Sequence, residues 1–504
     1  MTKIIYKILS DMFFMQKRGF KLWNVLLLLL SMFGIAHLSL AQIDVKSQSE
    51  TGSTPEFIEE NISPNILIFV ADDAGWRDFG AYGNETIQTP NIDALAEGGL
   101  QFEQAFLTTA QCSPSRISIL TGLYPHATGA EDLHMPLPEG TRIIPHYLSE
   151  KGFYTGHMKK RHYGPHANAQ FDWYSSELAE EFPTFLDSTD DNPFFLWVGF
   201  SDPHRPYENA PAKHDPQDVF VPPYLADTPE TRADITRYYD EISRMDGQIG
   251  RFMEELEHRG KRENTLVIFL SDNGAPFPRA KGTVYDEGVK TPLIVNWPDR
   301  IKAGSRYNGL TSVIDLAPTL LDLVDYPVPD AMQGGSILPV FFDQSISGRD
   351  VVFSERNWHD SDEHIRSLRT DRYKLVQNAY IHLPHGTPAD IGGSPSFRSL
   401  IQRKKEDVLT TAQTQLFKVP RPRIELYDLK EDPWEVDNVA ANPDYWKKAR
   451  ELASVLDGWI EETGDFPPYL RVRDDHTDRL TGVWFSKQIP PLRNLEKDSP
   501  NRLK

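Results

Sequence analysis

Three pieces of chemistry-bearing sequence stand directly after short apolar runs. Asp72–Asp73 follows NILIFV (65–70), Asp202-Pro203-His204 follows FFLWVGF (194–200), and Asp272–Asn273 follows TLVIFL (265–270). Ligands of open α/β sheets bind outside the carboxyl ends of the strands. A parallel sheet would therefore gather these segments on one edge, although the first and last are about 200 residues apart. A single Asp pair reads equally well as a helix cap or turn; three at strand ends read as a built site. Asp72, Asp73, Asp272 and Asn273 offer only oxygen donors, which suit a hard cation. Calcium accepts crowded, irregular oxygen shells more readily than magnesium, so calcium is the first candidate and magnesium the second.

The only cysteine lies in Cys112-Ser113-Pro114-Ser115-Arg116. Pro114 fits the first turn of a helix and Gly122 its end. Cys112 would then stand at a helix N-terminus, where free amides and the dipole favour an anion. Arg116, four residues on, would share its face. The competing reading is a buried structural thiol.

Strand-like runs must alternate with helices to position such residues, and they do. PLIVNW (292–297) adds a fourth apolar run, and helical patterns cover Ile92–Glu97, Ser115–Leu120, Arg232–Arg259 and Leu316–Val324. Such alternation predicts an α/β fold with a mostly parallel central sheet flanked by helices. Asp215–Thr231 is Pro-rich without periodicity and reads as a surface excursion. From about Asp350 the pattern shifts to shorter strand-like pieces, His364–Thr370 and Tyr373–Val376, which predicts a smaller α+β C-terminal domain. The expected division is a leader at 1–41, a catalytic domain at 42–349 and the C-terminal domain at 350–504.

The 504 residues carry a net charge of −20, with 39% hydrophobic and 25% charged side chains. That balance excludes a disordered chain and argues against nucleic acid as a partner. One cysteine excludes an intrachain disulfide. Val25–Ala41 is apolar, follows Lys17, Arg18 and Lys21, and ends in small residues. This pattern matches an export signal rather than a stable transmembrane span, and predicts a periplasmic or secreted protein.

CSPSR with the following ISILTGLYPHATG resembles the Cys-x-Pro-x-Arg signature of the type I sulfatases, a branch of the alkaline phosphatase superfamily. VADDAGWRDFGAYGN, SDNG and ELYDLKEDPWEVDNVA extend the resemblance over most of Asn65 to Asn442. SDPHRPY, HDPQDVFVPPYLADTPETRAD and SDNGAPFPRAKG are similar to the sulfamidase (heparan N-sulfatase) branch.

The resemblance implies a sulfatase with an alkaline phosphatase-like fold. It implies that Asp72, Asp73, Asp272 and Asn273 hold calcium, and that a separate formylglycine-generating or sulfatase-maturating enzyme converts Cys112 to formylglycine, itself a further metal ligand. One hydroxyl of the hydrated aldehyde would attack sulfur, and the second, once deprotonated, would expel sulfate. By the same resemblance Arg116 fixes that group, Lys160 contacts sulfate and nucleophile, and His162 serves as base for release. His204 would protonate the leaving group, a task suited to a near-neutral pKa. Lys281 would bind a sulfate oxygen, with Lys290 its rival. Two departures stand out: Lys159 replaces the usual glycine before Lys160, and the sulfamidase branch often has arginine where Lys281 stands. His126 reads as scaffolding. Arg205, His359, Asp360 and the His382–His385 loop lie where the family places substrate contacts. The expected substrate is a sulfated polysaccharide or its oligosaccharides, cleaved at an O-sulfate ester. The alternatives are an N-sulfoglucosamine sulfohydrolase (sulfamidase) and a phosphonate or phosphate monoester hydrolase.

Overall fold

The computed structural model describes residues 63–207 and 210–467. The leader read at Val25–Ala41 lies outside the described residues. An eight-stranded sheet forms the centre, in the order β5-β4-β6-β1-β7-β8-β2-β9. Its strands are β1 (Asn65–Ala71), β2 (Leu100–Phe102), β4 (Tyr154–Lys159), β5 (Trp173–Ser175), β6 (Phe194–Gly199), β7 (Thr265–Ser271), β8 (Leu293–Asn296) and β9 (Ser305–Tyr307). All neighbouring pairs run parallel except those of β8, which opposes both β7 and β2. Two short strands, β3 (Ala105–Phe106) and β10 (Thr311–Ser312), pair separately. The last four, β11 (Val352–Arg356), β12 (Ile365–Arg369), β13 (Tyr373–Asn378) and β14 (Ile424–Asp428), form an antiparallel sheet. The expected α/β class and the smaller C-terminal sheet are both present.

The central strands read as unbroken apolar runs because both faces are covered. Along β1, Ile66, Ile68 and Val70 enter one core, while Leu67, Phe69 and Ala71 enter the other. Among the helices, α1 (Pro90–Glu97), α2 (Cys112–Thr121), α3 (Pro229–His258), α4 (Leu316–Leu323) and α5 (Trp446–Thr463) matter most here. Helix α3 starts at Pro229, with the Thr228 side chain accepting from the Thr231 amide. Its Ile235, Tyr238, Tyr239, Ile242, Met245, Ile249, Phe252 and Leu256 recur three and four apart and fill the second core. Burying each such side chain stabilises the fold by about 1.5–3 kcal/mol. Helix α4 covers the opposite face through Leu316, Ala317 and Leu320. On the C-terminal sheet, Leu452, Leu456 and Trp459 of α5 pack against Leu368, Leu375 and Leu426.

Helix α2 begins three residues earlier than its apolar periodicity predicts. All ten of its residues are buried, so no polar face marks its extent. It ends where Gly122 takes φ 68°, its amide donating to the Ser118 carbonyl at 2.9 Å.

Candidate active site

Strands β4, β6, β1 and β7 are consecutive in the sheet and parallel, so their carboxyl ends form one row. Backbone bonds lock the row together. The Asp72 amide donates to the Asp202 carbonyl at 2.9 Å, the Asp272 amide to Ala71 at 3.1 Å, and the Lys160 amide to Gly199 at 2.8 Å. Helix α2 aims its first residue at the same place. The Cys112 sulfur lies 3.8 Å from Asp72 Oδ1 and 3.9 Å from Asp73 Oδ1, and Asn273 Nδ2 approaches it to 3.3 Å. Leu133 and Trp358 close an apolar wall around the thiol.

The acidic residues meet as the strand-end pattern predicts. Asn273 Nδ2 donates to Asp73 Oδ1 at 2.8 Å and to Asp272 Oδ1 at 2.9 Å, and the Asp73 amide donates to Asp272 Oδ1 at 3.1 Å. One ligand atom each from Asp72, Asp73, Cys112 and His204 falls within 4.8 Å of the others. Burial pushes the Asp73 carboxyl up to about 6 and that of Asp272 up to about 8, the nearby Lys281 and Arg116 charges respectively opposing the rise. The donor chemistry fits a hard cation: carboxylate oxygens converge, and Asn273 Oδ1 is a buried acceptor with no hydrogen-bond partner.

Positive charge rings this acidic centre. Arg116 is fully buried; its Nε donates to Asp272 Oδ2 at 2.6 Å and its Nη1 to the Lys160 carbonyl at 3.3 Å. Gly199 makes that approach feasible, since a Cβ there would stand 2.6 Å from Arg116 Nη1 and strike the Lys160 carbonyl. Lys160 Nζ donates to Asp72 Oδ2. Lys281 Nζ donates to Asp73 Oδ2 at 2.6 Å and Asp390 Oδ2 at 2.8 Å, whereas Lys290 sits 3.6 Å over the Trp76 ring. Burial raises the Cys112 thiol, but the Lys160 and Lys281 charges outweigh it and hold the group well below its ordinary value. A low thiol pKa is the mark of an anion-stabilising site.

The histidines complete the ring. His204 Nε2 stands 3.8 Å from Asp73 Oδ2 and 3.7 Å from Asp390 Oδ2. Burial and Lys281 lower its pKa, yet Asp73 and Asp72 together raise it overall. His162 follows β4 at the site's edge, pairing with His134. His359 is buried and hydrogen-bonds Asp360 Oδ2 at 3.0 Å; burial lowers its pKa, but that bond helps carry it up to about 9. Asp360 Oδ2 also accepts from the Ala389 amide at 2.8 Å, in the turn Ala389–Gly392 that carries Asp390. Arg205 faces another way. Its guanidinium forks onto Asp234 at 2.7 and 2.8 Å and donates to the Pro276 carbonyl at 2.9 Å, bracing the His204 loop against α3. His126 pairs with Glu355, and His385 is buried beside Tyr285 and Arg421, both away from the cysteine.

Three contributors escaped the sequence reading. His134, Trp358 and Asp390 lie in EDLHMPLP, RNWHD and TPADIGG, which have no metal-ligand or strand-end spacing. Gln111, the residue before Cys112, imports the C-terminal segment: its Nε2 donates to the Trp358 carbonyl at 2.7 Å, and its Oε1 accepts from the Asn357 amide at 3.0 Å. The Lys159 departure also has a physical reading. Lys159 has φ 63°, the left-handed region where glycine is the unstrained choice.

The Sulfatase family profile matches residues 64–326, and the profile of the N-sulphoglucosamine sulphohydrolase C-terminal region matches residues 279–385. The mostly parallel sheet with an acidic, cysteine-centred site at its strand ends agrees with the alkaline phosphatase-like fold that the family match supports. The chain therefore belongs to the sulfatase family, on its sulfamidase-like side, and is a sulfuric ester hydrolase. It is 33% identical to human N-sulphoglucosamine sulphohydrolase over 85% of this chain and 95% of that protein. An ulvan-active sulfatase of Formosa agariphila is 29% identical over 87% of this chain and 80% of its own length. Among solved structures, a protein in complex with its substrate D-glucosamine-2-N,6-O-disulfate superposes with a TM-score of 0.62 at 20% identity, covering 80% of this chain and 99% of that one.

Proposed function

We propose that this sulfatase removes sulfate from a sulfated polysaccharide or its oligosaccharides, at an O-sulfate ester. The observation carrying the reading is the convergence of Cys112, Lys160, Lys281, Arg116 and His204 on one acidic centre. Ulvan-active and glycosaminoglycan-directed relatives support a glycan substrate.

Asp72, Asp73, Asp272 and Asn273 would hold calcium, whose charge would make a coordinated hydroxyl more acidic. Formylglycine at position 112, made by a maturating enzyme, would supply a hydrated aldehyde with two such hydroxyls. Lys160 and Lys281 then draw the anionic sulfate into place, and Arg116 fixes the side chain at 112 through its hold on Asp272. Removing one such preorganised donor typically costs about 10²–10³ in rate. His204, whose carboxylate neighbours Asp73 and Asp72 favour its protonated form, delivers a proton to the leaving oxygen. His162 withdraws the proton that permits release of sulfate.

The chain would carry an export leader at 1–41, a catalytic domain at 42–349 and a domain at 350–504 that completes the pocket. His359, brought to the cysteine by a segment that the Gln111 bonds hold, and Asp360, hydrogen-bonded to it, are the proposed substrate contacts of that second part, with Arg205 acting through the His204 loop. No helix among the described residues is long and apolar enough to cross a membrane. The N-sulphoglucosamine C-terminal match favours a second reading, N-sulfamate cleavage. A panel of defined oligosaccharides bearing only O-sulfate or only N-sulfate, with an aryl phosphonate as control, separates the readings. Sulfate released only from the N-sulfated members would overturn the O-ester assignment.

A further inference from the structure

His134 reaches the site from a loop that no motif marks. Its backbone amide donates to Ser113 Oγ at 2.8 Å, directly beside Cys112, and the Leu133 amide donates to the Trp358 carbonyl at 3.0 Å. The imidazole Nδ1 lies 2.6 Å from His162 Nε2, with ring centroids 4.7 Å apart. His134 itself is exposed. The other nitrogen of His162, Nδ1, is buried with no hydrogen-bond partner, and the ring lies against the Cys112 sulfur. Both residues hold left-handed backbone, His134 at φ 67° and His162 at φ 66°. Non-glycine residues persist there only where the surroundings dictate it, and such positions cluster at active sites.

We propose that His134 is a positioning residue, accepting at Nδ1 a hydrogen bond from His162 Nε2–H and so leaving the His162 Nδ1 lone pair turned towards the side chain at 112. An imidazole has two nitrogens, and the partner of one fixes the proton and orientation of the other. Without this contact the His162 ring can flip, exchanging its basic edge for its N–H edge. The inference rests on the sulfatase reading only in making His162 the base.

Two substitutions separate side chain from backbone. His134→Gly removes the hydrogen bond while suiting φ 67°. His134→Asn places an amide near the lost Nδ1 and also tolerates left-handed backbone. A misplaced catalytic group can cost about 10²-fold. The full chain with His134→Gly should therefore lose about 10–100-fold in kcat with KM nearly unchanged, and His134→Asn should recover most of it. With ¹⁵N-labelled histidine, the parent should show one imidazole pair coupled through an N–H···N hydrogen bond, whether or not Cys112 has been converted. That signal should vanish in His134→Gly. Parental kcat in His134→Gly, equal losses in both variants, or no coupled pair in the parent would each overturn the proposal. A parent that shows the coupled pair but releases no sulfate would instead sink the functional reading.

Discussion

Replacing Arg116 with alanine removes the buried cation that directly pairs with Asp272. Both side chains have 0% exposure and meet at 2.6 Å, so solvent cannot take over the charge. Removing one partner of such a pair typically costs about 3–5 kcal/mol, because the other stays buried and unpaired. Unfolding about 400 described residues at about 2.1 cal/mol/K each gives an entropy near ~0.8 kcal/mol/K, so the apparent Tm should fall by about 4–6 °C. The lost bond to the Lys160 carbonyl also frees the backbone after β4, so sulfate release should fall with stability. Circular dichroism melting of the metal-free chain above about pH 8, where the raised Asp272 carboxyl is ionised, measures the first, and the activity assay on the matured, calcium-loaded chain measures the second. A variant melting within a degree of the parent would refute the assignment of Arg116–Asp272 as a buried, structure-bearing pair.

Lys281→Ala should lower kcat by about 10²–10³, whereas Lys290→Ala, which loses its seat over Trp76, should leave kcat near the parental value; steady-state kinetics of both variants decides which lysine serves sulfate. Gly199→Ala should destabilise by about 1–3 kcal/mol through overpacking and also reduce activity, because its methyl group collides with the Lys160 carbonyl; melting and kinetics should move together. Burial raises the Asp465 carboxyl, but the Arg366 fork holds it well below the usual carboxylate range. Its contribution to stability is therefore complete above about pH 4 and is lost as pH falls towards the depressed value. The parental Tm should drop more steeply below pH 4 than that of Asp465→Asn; parallel curves would contradict the pairing.

The central strands were legible because both their faces are buried, so β1 and β7 appear as unbroken apolar runs within one residue of their true ends. Asp72, Asp73, Asp272, Asn273 and His204 were legible for the same reason, since each abuts such a run. The antiparallel direction of β8 was not, because a four-residue strand looks alike in either sense. The start of α2 at Cys112 was legible from Pro114 in its first turn but not from apolar periodicity, because burial on all sides leaves no polar face. His134 and Asp390 were invisible because loops place them: a left-handed residue tied to Ser113 in one case, a turn held by Asp360 in the other. Arg205 carries the right charge at the right distance along the chain, but Asp234 on α3 claims its guanidinium, a pairing no local pattern announces.

Sulfate release by the matured full-length chain, compared with its Cys112→Ala variant on one sulfated oligosaccharide, bears most directly on the whole account. The parent should liberate inorganic sulfate, and the variant should melt like the parent yet liberate none. Equal release from both proteins would contradict the assignment of Cys112 as the source of the nucleophile.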